Sequence, residues 1–170
     1  MKFDEFIAKL QTKSNSFFGK INIESFTGTI VFTKRIKANK SYVEIELHED
    51  GRTFYKPNQS LLTSMHISIL FAISELASEI KEENFPMIFD APTSSFGENK
   101  TAEFLNLIYE TENQKILLIK DFLSTDKKTK ALSIKNEFEH VKRDKAFWIK
   151  LERPFDKNNL KTLNTQVITL

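Results

Sequence analysis

The stretch Phe85-Pro86-Met87-Ile88-Phe89-Asp90-Ala91-Pro92-Thr93-Ser94-Ser95-Phe96-Gly97 decides how this chain is read. An apolar run too short for a helix ends in a carboxylate, and a Pro/Ser/Gly-rich turn follows. In an α/β protein this predicts a buried strand that delivers Asp90 to its C-terminal edge, where open sheets bind ligands. A carboxylate there suits Mg²⁺, a hard cation that takes one or two such oxygens beside phosphates and water. The plainer alternative is that Asp90 only closes a turn.

Working downstream, the spacing predicts a helix from about Asn99 to Tyr109. Lys115-Ile116-Leu117-Leu118-Ile119 then forms a second short apolar run, suited to a parallel strand with both faces covered. Strand, helix and strand across 86–119 make a βαβ unit. Residues 124–145 read as a loop plus a short helix, 146–151 as a strand and 158–170 as a closing helix.

Working upstream, Lys56-Pro57-Asn58-Gln59-Ser60 is a break, and Thr63 to about Glu82 a long, largely apolar helix that should be well buried. Residues 26–33 and 41–47 alternate with period two (Ile30, Phe32; Val43, Ile45, Leu47), and Glu49-Asp50-Gly51-Arg52 supplies a turn, so 26–55 reads as a small antiparallel meander. Phe3, Phe6, Ile7, Leu10, Phe17 and Phe18 give residues 2–18 the pattern of an amphipathic helix stopping near Gly19. With no internal repeat or flexible linker, the expectation is one domain over 1–170, with an α/β lobe at 60–170.

Forty per cent hydrophobic residues is too many for an intrinsically disordered chain. The 25 basic and 23 acidic residues nearly cancel, so no strong global field draws the chain to nucleic acid or membrane. Zero Cys excludes disulfides and thiolate zinc sites, and fits a reducing compartment. No apolar run has the length of a membrane span and the charged start lacks a secretory core, so a cytoplasmic protein without a membrane partner is expected.

The order of these segments resembles the C-terminal half of an SMC-like or ABC-type ATPase head, of the DNA-repair or DNA sulfur-modification type. In that family a small sheet, a Ser/Gly-rich signature loop, a long helix, Walker B, the D-loop and a strand ending in the switch His follow one another. Leu70-Phe71-Ala72-Ile73 looks like the apolar segment after the signature, which places the signature at Pro57-Asn58-Gln59-Ser60-Leu61. The Leu-Ser-Gly-Gly-Glu pattern is reduced there to a polar break before a helix. Asn58 and Ser60 would present donors to a nucleotide across a dimer, where a helix N-terminus favours phosphate; a simple N-cap is the alternative. Asp90 matches the Walker B metal ligand, but Ala91 replaces the usual Glu, and its methyl cannot accept a proton. Ser94, Ser95 and Gly97 lie in the D-loop position, with Phe96-Gly97 for Leu-Asp; an ordinary loop fits equally. Lys120 stands where the switch His would be. It offers a γ-phosphate a point charge but no proton relay near neutral pH.

Walker A, Gly-x-x-x-x-Gly-Lys-Ser/Thr, is missing: Asn99-Lys100-Thr101 ends correctly but lacks both glycines. The resemblance covers about residues 1–125. It implies a C-terminal lobe with a mainly parallel sheet flanked by helices. Such a lobe binds ATP and Mg²⁺ only with a Walker A-bearing half or second head, in ATP-dependent head engagement linked to DNA processing or anti-phage defence. The helix at 2–18 would be the stump of a coiled coil, and DNA a further partner. The competing class is a non-catalytic module that keeps the lobe's shape and binds a partner ATPase or nuclease. A stand-alone metal phosphoesterase using Asp90 and Asp121 is a third reading, short of carboxylates.

Other constellations carry less. His48, His66 and His140 share no metal-ligand spacing. Lys127-Lys128-Thr129-Lys130 and Lys142-Arg143-Asp144-Lys145 could touch DNA phosphate, but interleaved acids favour a solvated face.

Overall fold

The computed structural model describes residues 2–23, 26–38, 40–81, 86–119, 122–129, 132–135, 149–152 and 166–169. The chain forms two compact units, Met1–Lys135 and Asn136–Leu170.

The first unit opens with helix α1, Phe3–Ile21, which buries Leu10, Ser14, Phe17, Phe18 and Ile21 along one stripe. It runs past Gly19, where the sequence predicted its end. The N–H and Nδ2 of Asn22 both donate to the Phe18 carbonyl, at 3.1 and 3.0 Å, closing a last turn that buries Ile21. That burial offsets the roughly 1 kcal/mol cost of a helical glycine.

Strands β1 (Thr29–Lys37), β2 (Lys40–Glu49) and β3 (Arg52–Thr53) form the expected antiparallel meander in that order. Ile30 pairs with Leu47 and Phe32 with Ile45, so the apolar alternation falls on one face. Between β2 and β3, Asp50 and Gly51 have φ of 49° and 73°, the backbone of a tight two-residue hairpin loop.

Helix α2, Gln59–Lys81, begins four residues before the predicted Thr63, because the Asn58 side-chain oxygen accepts the Leu61 N–H at 2.9 Å and caps it. It runs antiparallel to α1. Lys13 bridges to Glu75 and Glu79, and Phe17, one turn on, meets Phe71 at 5.5 Å between ring centres. Ser64 and Ser68 are fully buried, and each hydroxyl donates to the carbonyl one turn back (2.9 and 2.7 Å), so small residues sit where packing is tightest. The expectation of a well-buried helix needs correction, since Leu70, Ile73 and Ile80 form an exposed stripe. Helix α2 is long and apolar enough to cross a membrane by composition, but half of its apolar window is buried within the protein, as in a core helix.

Strand β4 (Met87–Asp90), helix α3 (Glu98–Glu110) and strand β5 (Lys115–Leu118) complete the βαβ unit, and β4 pairs parallel to β5 with Asp90 opposite Leu118. A relay of phenylalanines holds it to the helices. Phe71 stacks on Phe89 at 5.6 Å, Phe89 meets Phe104 edge-on at 5.8 Å, and Phe96 meets Phe104 at 6.1 Å. Such pairs add to the value of their burial.

The predicted loop and short helix over 124–145 is corrected in part. Strands β6 (Leu123–Thr125) and β7 (Leu132–Ile134) form an antiparallel pair. The Asp126 carboxylate accepts the Lys128 and Thr129 N–H groups at 2.8 and 2.7 Å, which turns the chain back and holds its pKa below the usual range. Residues 136–145 lie outside the described residues. In the second unit, β8 (Ile149–Glu152) pairs antiparallel with β9 (Gln166–Thr169). The predicted closing helix is thus wrong over 166–169, where β-branched Val167, Ile168 and Thr169 favour a strand.

Candidate functional site

Asp90 is the last residue of β4 and is exposed. The next backbone N–H, of Ala91, donates to the Leu118 carbonyl at 2.8 Å, so the parallel ladder holds to the carboxylate's edge. Ala91 then adopts φ 46°, a left-handed conformation that non-glycine residues rarely take. The chain turns through Ser94 N–H to Ala91 carbonyl (3.2 Å) and Phe96 N–H to Thr93 carbonyl (2.9 Å). The Thr93 hydroxyl inside this turn is buried and has no hydrogen-bond partner among the described residues.

Side chains alternate along β4 and β5. Phe89 and Leu117 face the helices, while Ile88, Asp90, Ile116 and Leu118 share the opposite face in register. That second face is open, with Ile88 68%, Ile116 45% and Leu118 48% exposed. The expectation of strands covered on both faces is therefore corrected. Parallel pairs ordinarily have both faces covered, because helices lie on each side. Here α2 and α3 meet the one face through Phe71 and Phe104.

The D-loop-like and signature-like segments come together. Ser95 Oγ donates to Thr63 Oγ1 at 3.1 Å, and Gln59 Nε2 donates to the same oxygen at 3.4 Å. Thr63, which the sequence offered only as a helix start, is thus the link. Asn58 spends its side-chain oxygen on the cap, and Ser60 lies inside the first turn of α2, its carbonyl accepting the Ser64 hydroxyl. Ser94 is exposed. Gly97 precedes α3 in extended conformation (φ −78°), and its carbonyl accepts the Thr101 N–H at 2.9 Å. Lys100 lies 5.5 Å over the Phe96 ring, and burial lowers its pKa. Lys120 and Asp121 lie outside the described residues.

A lone exposed carboxylate at a strand end fits Mg²⁺ held mainly by phosphates and water. It does not fit an all-protein metal cage, and no group of three or more His, Cys, Asp or Glu among the described residues could hold a metal.

No protein-family model and no curated protein matches the sequence. Solved structures do. One, from work on ATP-driven dimerization and DNA-stimulated activation of SMC ATPases, aligns with a TM-score of 0.60 at 15% identity, over 99% of this chain and 87% of that one. The Smc head bound to the C-winged-helix domain of ScpA aligns with a TM-score of 0.64 at 14% identity. This chain has the fold of an SMC ATPase head. In the second case 99% of this chain covers only 44% of that one. An Smc head domain with an extended coiled coil, bound to the C-terminal domain of ScpA derived from Pyrococcus furiosus, aligns at a TM-score of 0.50 and 18% identity, over 67% and 29% of the two chains. The SMC-like chain therefore spans under half of each of those two heads. The SMC-like fold accounts for the order of meander, long helix, βαβ unit and carboxylate-bearing strand end.

Proposed function

We propose that this chain is the C-terminal half of an SMC-like ATPase head, completed by a Walker A-bearing lobe in trans or in a longer chain. One observation carries the reading: Asp90 stands at the C-terminal end of a parallel strand, on the same open face as Ile88, Ile116 and Leu118. A covering lobe would bury that apolar face and bring its bound phosphates to the carboxylate in one docking event. Asp90 would hold Mg²⁺, which neutralises phosphate charge when bound. Asn58 and Ser60, at the first turn of α2, would approach a partner head's nucleotide. Ser94, Ser95 and Gly97 would line the contact between heads, with Lys120 beside the γ-phosphate. ATP would then act by joining heads, with DNA repair, modification or defence downstream. Helix α1 would continue into a coiled coil.

A second reading, a non-catalytic module that binds a partner ATPase or nuclease, is favoured by Ala91. By the resemblance it stands where those ATPases carry a Glu, and its methyl cannot accept a proton.

Calorimetry with Mg-ATP separates the two. The chain alone is expected to bind none. Mixed with a Walker A-bearing lobe of an SMC-like head, it should bind Mg-ATP, and Asp90→Asn should abolish this. Assembly with the lobe but no dependence on Asp90 would establish the module instead.

A further inference from the structure

Helix α1 clamps the outer edge of β1 at regular intervals, and the clamp stops short. Asn15 holds the backbone of Ile30, and Gln11 holds the N–H of Phe32. Four residues along a helix rise about 6 Å and two along a strand about 6.6 Å, so the next pair in the series is Ile7 with Lys34. The N–H and C=O of Lys34 face the same edge as those of Ile30 and Phe32, but Ile7 has no amide to meet them. No hydrogen bond to that N–H occurs among the described residues.

In place of the clamp lies a groove of about 240 Å³, walled by Phe3, Ile7, Ala8 and Phe32, with room for one large side chain. Lys34 crosses its rim, its ammonium 2.9 Å from Asp4 and 5.3 Å over the Phe3 ring. Beyond it the edge runs on to the hairpin tip, where Ile36 is 74% exposed. The tip is cationic. Between Glu24 and Glu44 there is no carboxylate, yet Lys34, Arg35, Lys37 and Lys40 fall within that span. The ladder sets Lys37 directly across from Lys40, and neither has an ion-pair partner among the described residues.

We propose that groove and tip together dock an extended segment of a partner protein. One large apolar side chain fills the groove, a segment carbonyl accepts the Lys34 N–H, and carboxylates lie beside Lys37 and Lys40. An unpaired strand edge is a template for another extended chain. Segments added in this way take affinity from main-chain bonds and specificity from side-chain pockets. Charge complementarity names the flanks, because like charges directly opposed destabilise a sheet until carboxylates meet them. Nucleic acid would use the cations but leave the apolar groove and the backbone donor unfilled. This inference does not depend on the nucleotide reading, since the groove lies outside the Asp90 site.

The test begins with a phage-displayed library of random nonapeptides selected on the immobilised full chain. Enriched sequences should carry a Leu, Ile or Phe flanked by Asp or Glu. A fluorescein-labelled copy of the most enriched peptide is then titrated by anisotropy. Ile7→Gln extends the amide series along the strand edge and should weaken binding about tenfold or more, as loss of a central anchor does. Ala8→Gln fills the groove from an exposed position, so it should do the same while leaving the unfolding midpoint close to wild type. Lys37→Ala/Lys40→Ala should weaken binding mainly at low salt, and Lys127→Ala/Lys128→Ala, equal in charge, should not. Absence of enrichment, selection of acidic sequences without an apolar anchor, or equal binding by Ala8→Gln would overturn the proposal. So would a DNA duplex that displaces the peptide and binds Ala8→Gln as tightly as wild type, which would assign the surface to nucleic acid.

Discussion

Asn15 grips Ile30 with both ends of its amide: Nδ2 donates to the Ile30 carbonyl at 2.8 Å, and Oδ1 accepts the Ile30 N–H at 2.7 Å. Gln11 Oε1 accepts the Phe32 N–H at 2.7 Å, one step along the same edge. Strand β1 is the outer strand of its sheet, so these amides occupy backbone groups that would otherwise invite another chain. Ile30 is fully buried, and water cannot replace the amide easily. Asn15→Leu should therefore cost about 1–3 kcal/mol, the range for stranding a buried donor. Asn15→Asp, which sets a charged acceptor against the Ile30 carbonyl, should cost at least as much. Urea unfolding measures both, and an Asn15→Leu midpoint equal to wild type would remove this role.

Neighbouring residues of β4 should behave oppositely because they face opposite ways. Phe89 is buried between Phe71 and Phe104, and Phe89→Ala should destabilise by about 3–5 kcal/mol. Ile88 lies on the open face, so Ile88→Ala should shift stability by less than about 0.5 kcal/mol. Similar losses from the two would show that the isolated chain buries both faces.

The open face should make the isolated chain self-associate. Exposed apolar patches of this kind mark interaction surfaces or aggregation sites. Ile88→Lys/Leu118→Lys should give a monomer by light scattering at concentrations where wild type associates, with an unfolding midpoint close to wild type. The same variant should fail to join a Walker A-bearing lobe. A wild-type chain that stays monomeric at high concentration would contradict the expectation.

Lys115 at the start of β5 gives a pH signature. Burial lowers its pKa from 10.5 to about 8, and its ammonium donates to the Thr111 carbonyl. The folded state releases the proton more readily than the unfolded chain, so stability should rise as pH climbs from about 8 toward 10.5. Below that window the charged, partly desolvated amine is a standing penalty, attenuated because the group is half in solvent. Lys115→Met should raise the thermal midpoint at neutral pH and flatten the alkaline rise. An unchanged pH profile would show that another group sets it.

The βαβ unit was legible because two short apolar runs separated by a helical pattern admit few arrangements, and a connection long enough to hold a helix makes parallel pairing the default. The meander was legible from alternation and from Asp50-Gly51, which fixes a hairpin locally. The 123–134 hairpin was not, since its signal is one Asx turn at Asp126 within a lysine-rich run. Strand β9 was missed because four residues are too few to show a period, and its pairing with β8 is non-local. At the candidate site, the exit position of Asp90 could be read from the residues, but the link from Ser95 to Thr63, 32 residues apart, could not.

The linear order of residues was enough to place a carboxylate at the end of an apolar strand and to show that the phosphate-cradling glycines are absent, because both depend on local pattern. Only the folded chain decided that this carboxylate shares its face with uncovered Ile88, Ile116 and Leu118. A strand apolar on both sides signals two buried faces without saying which chain buries the second. That answer lies in which helices happen to pack against it.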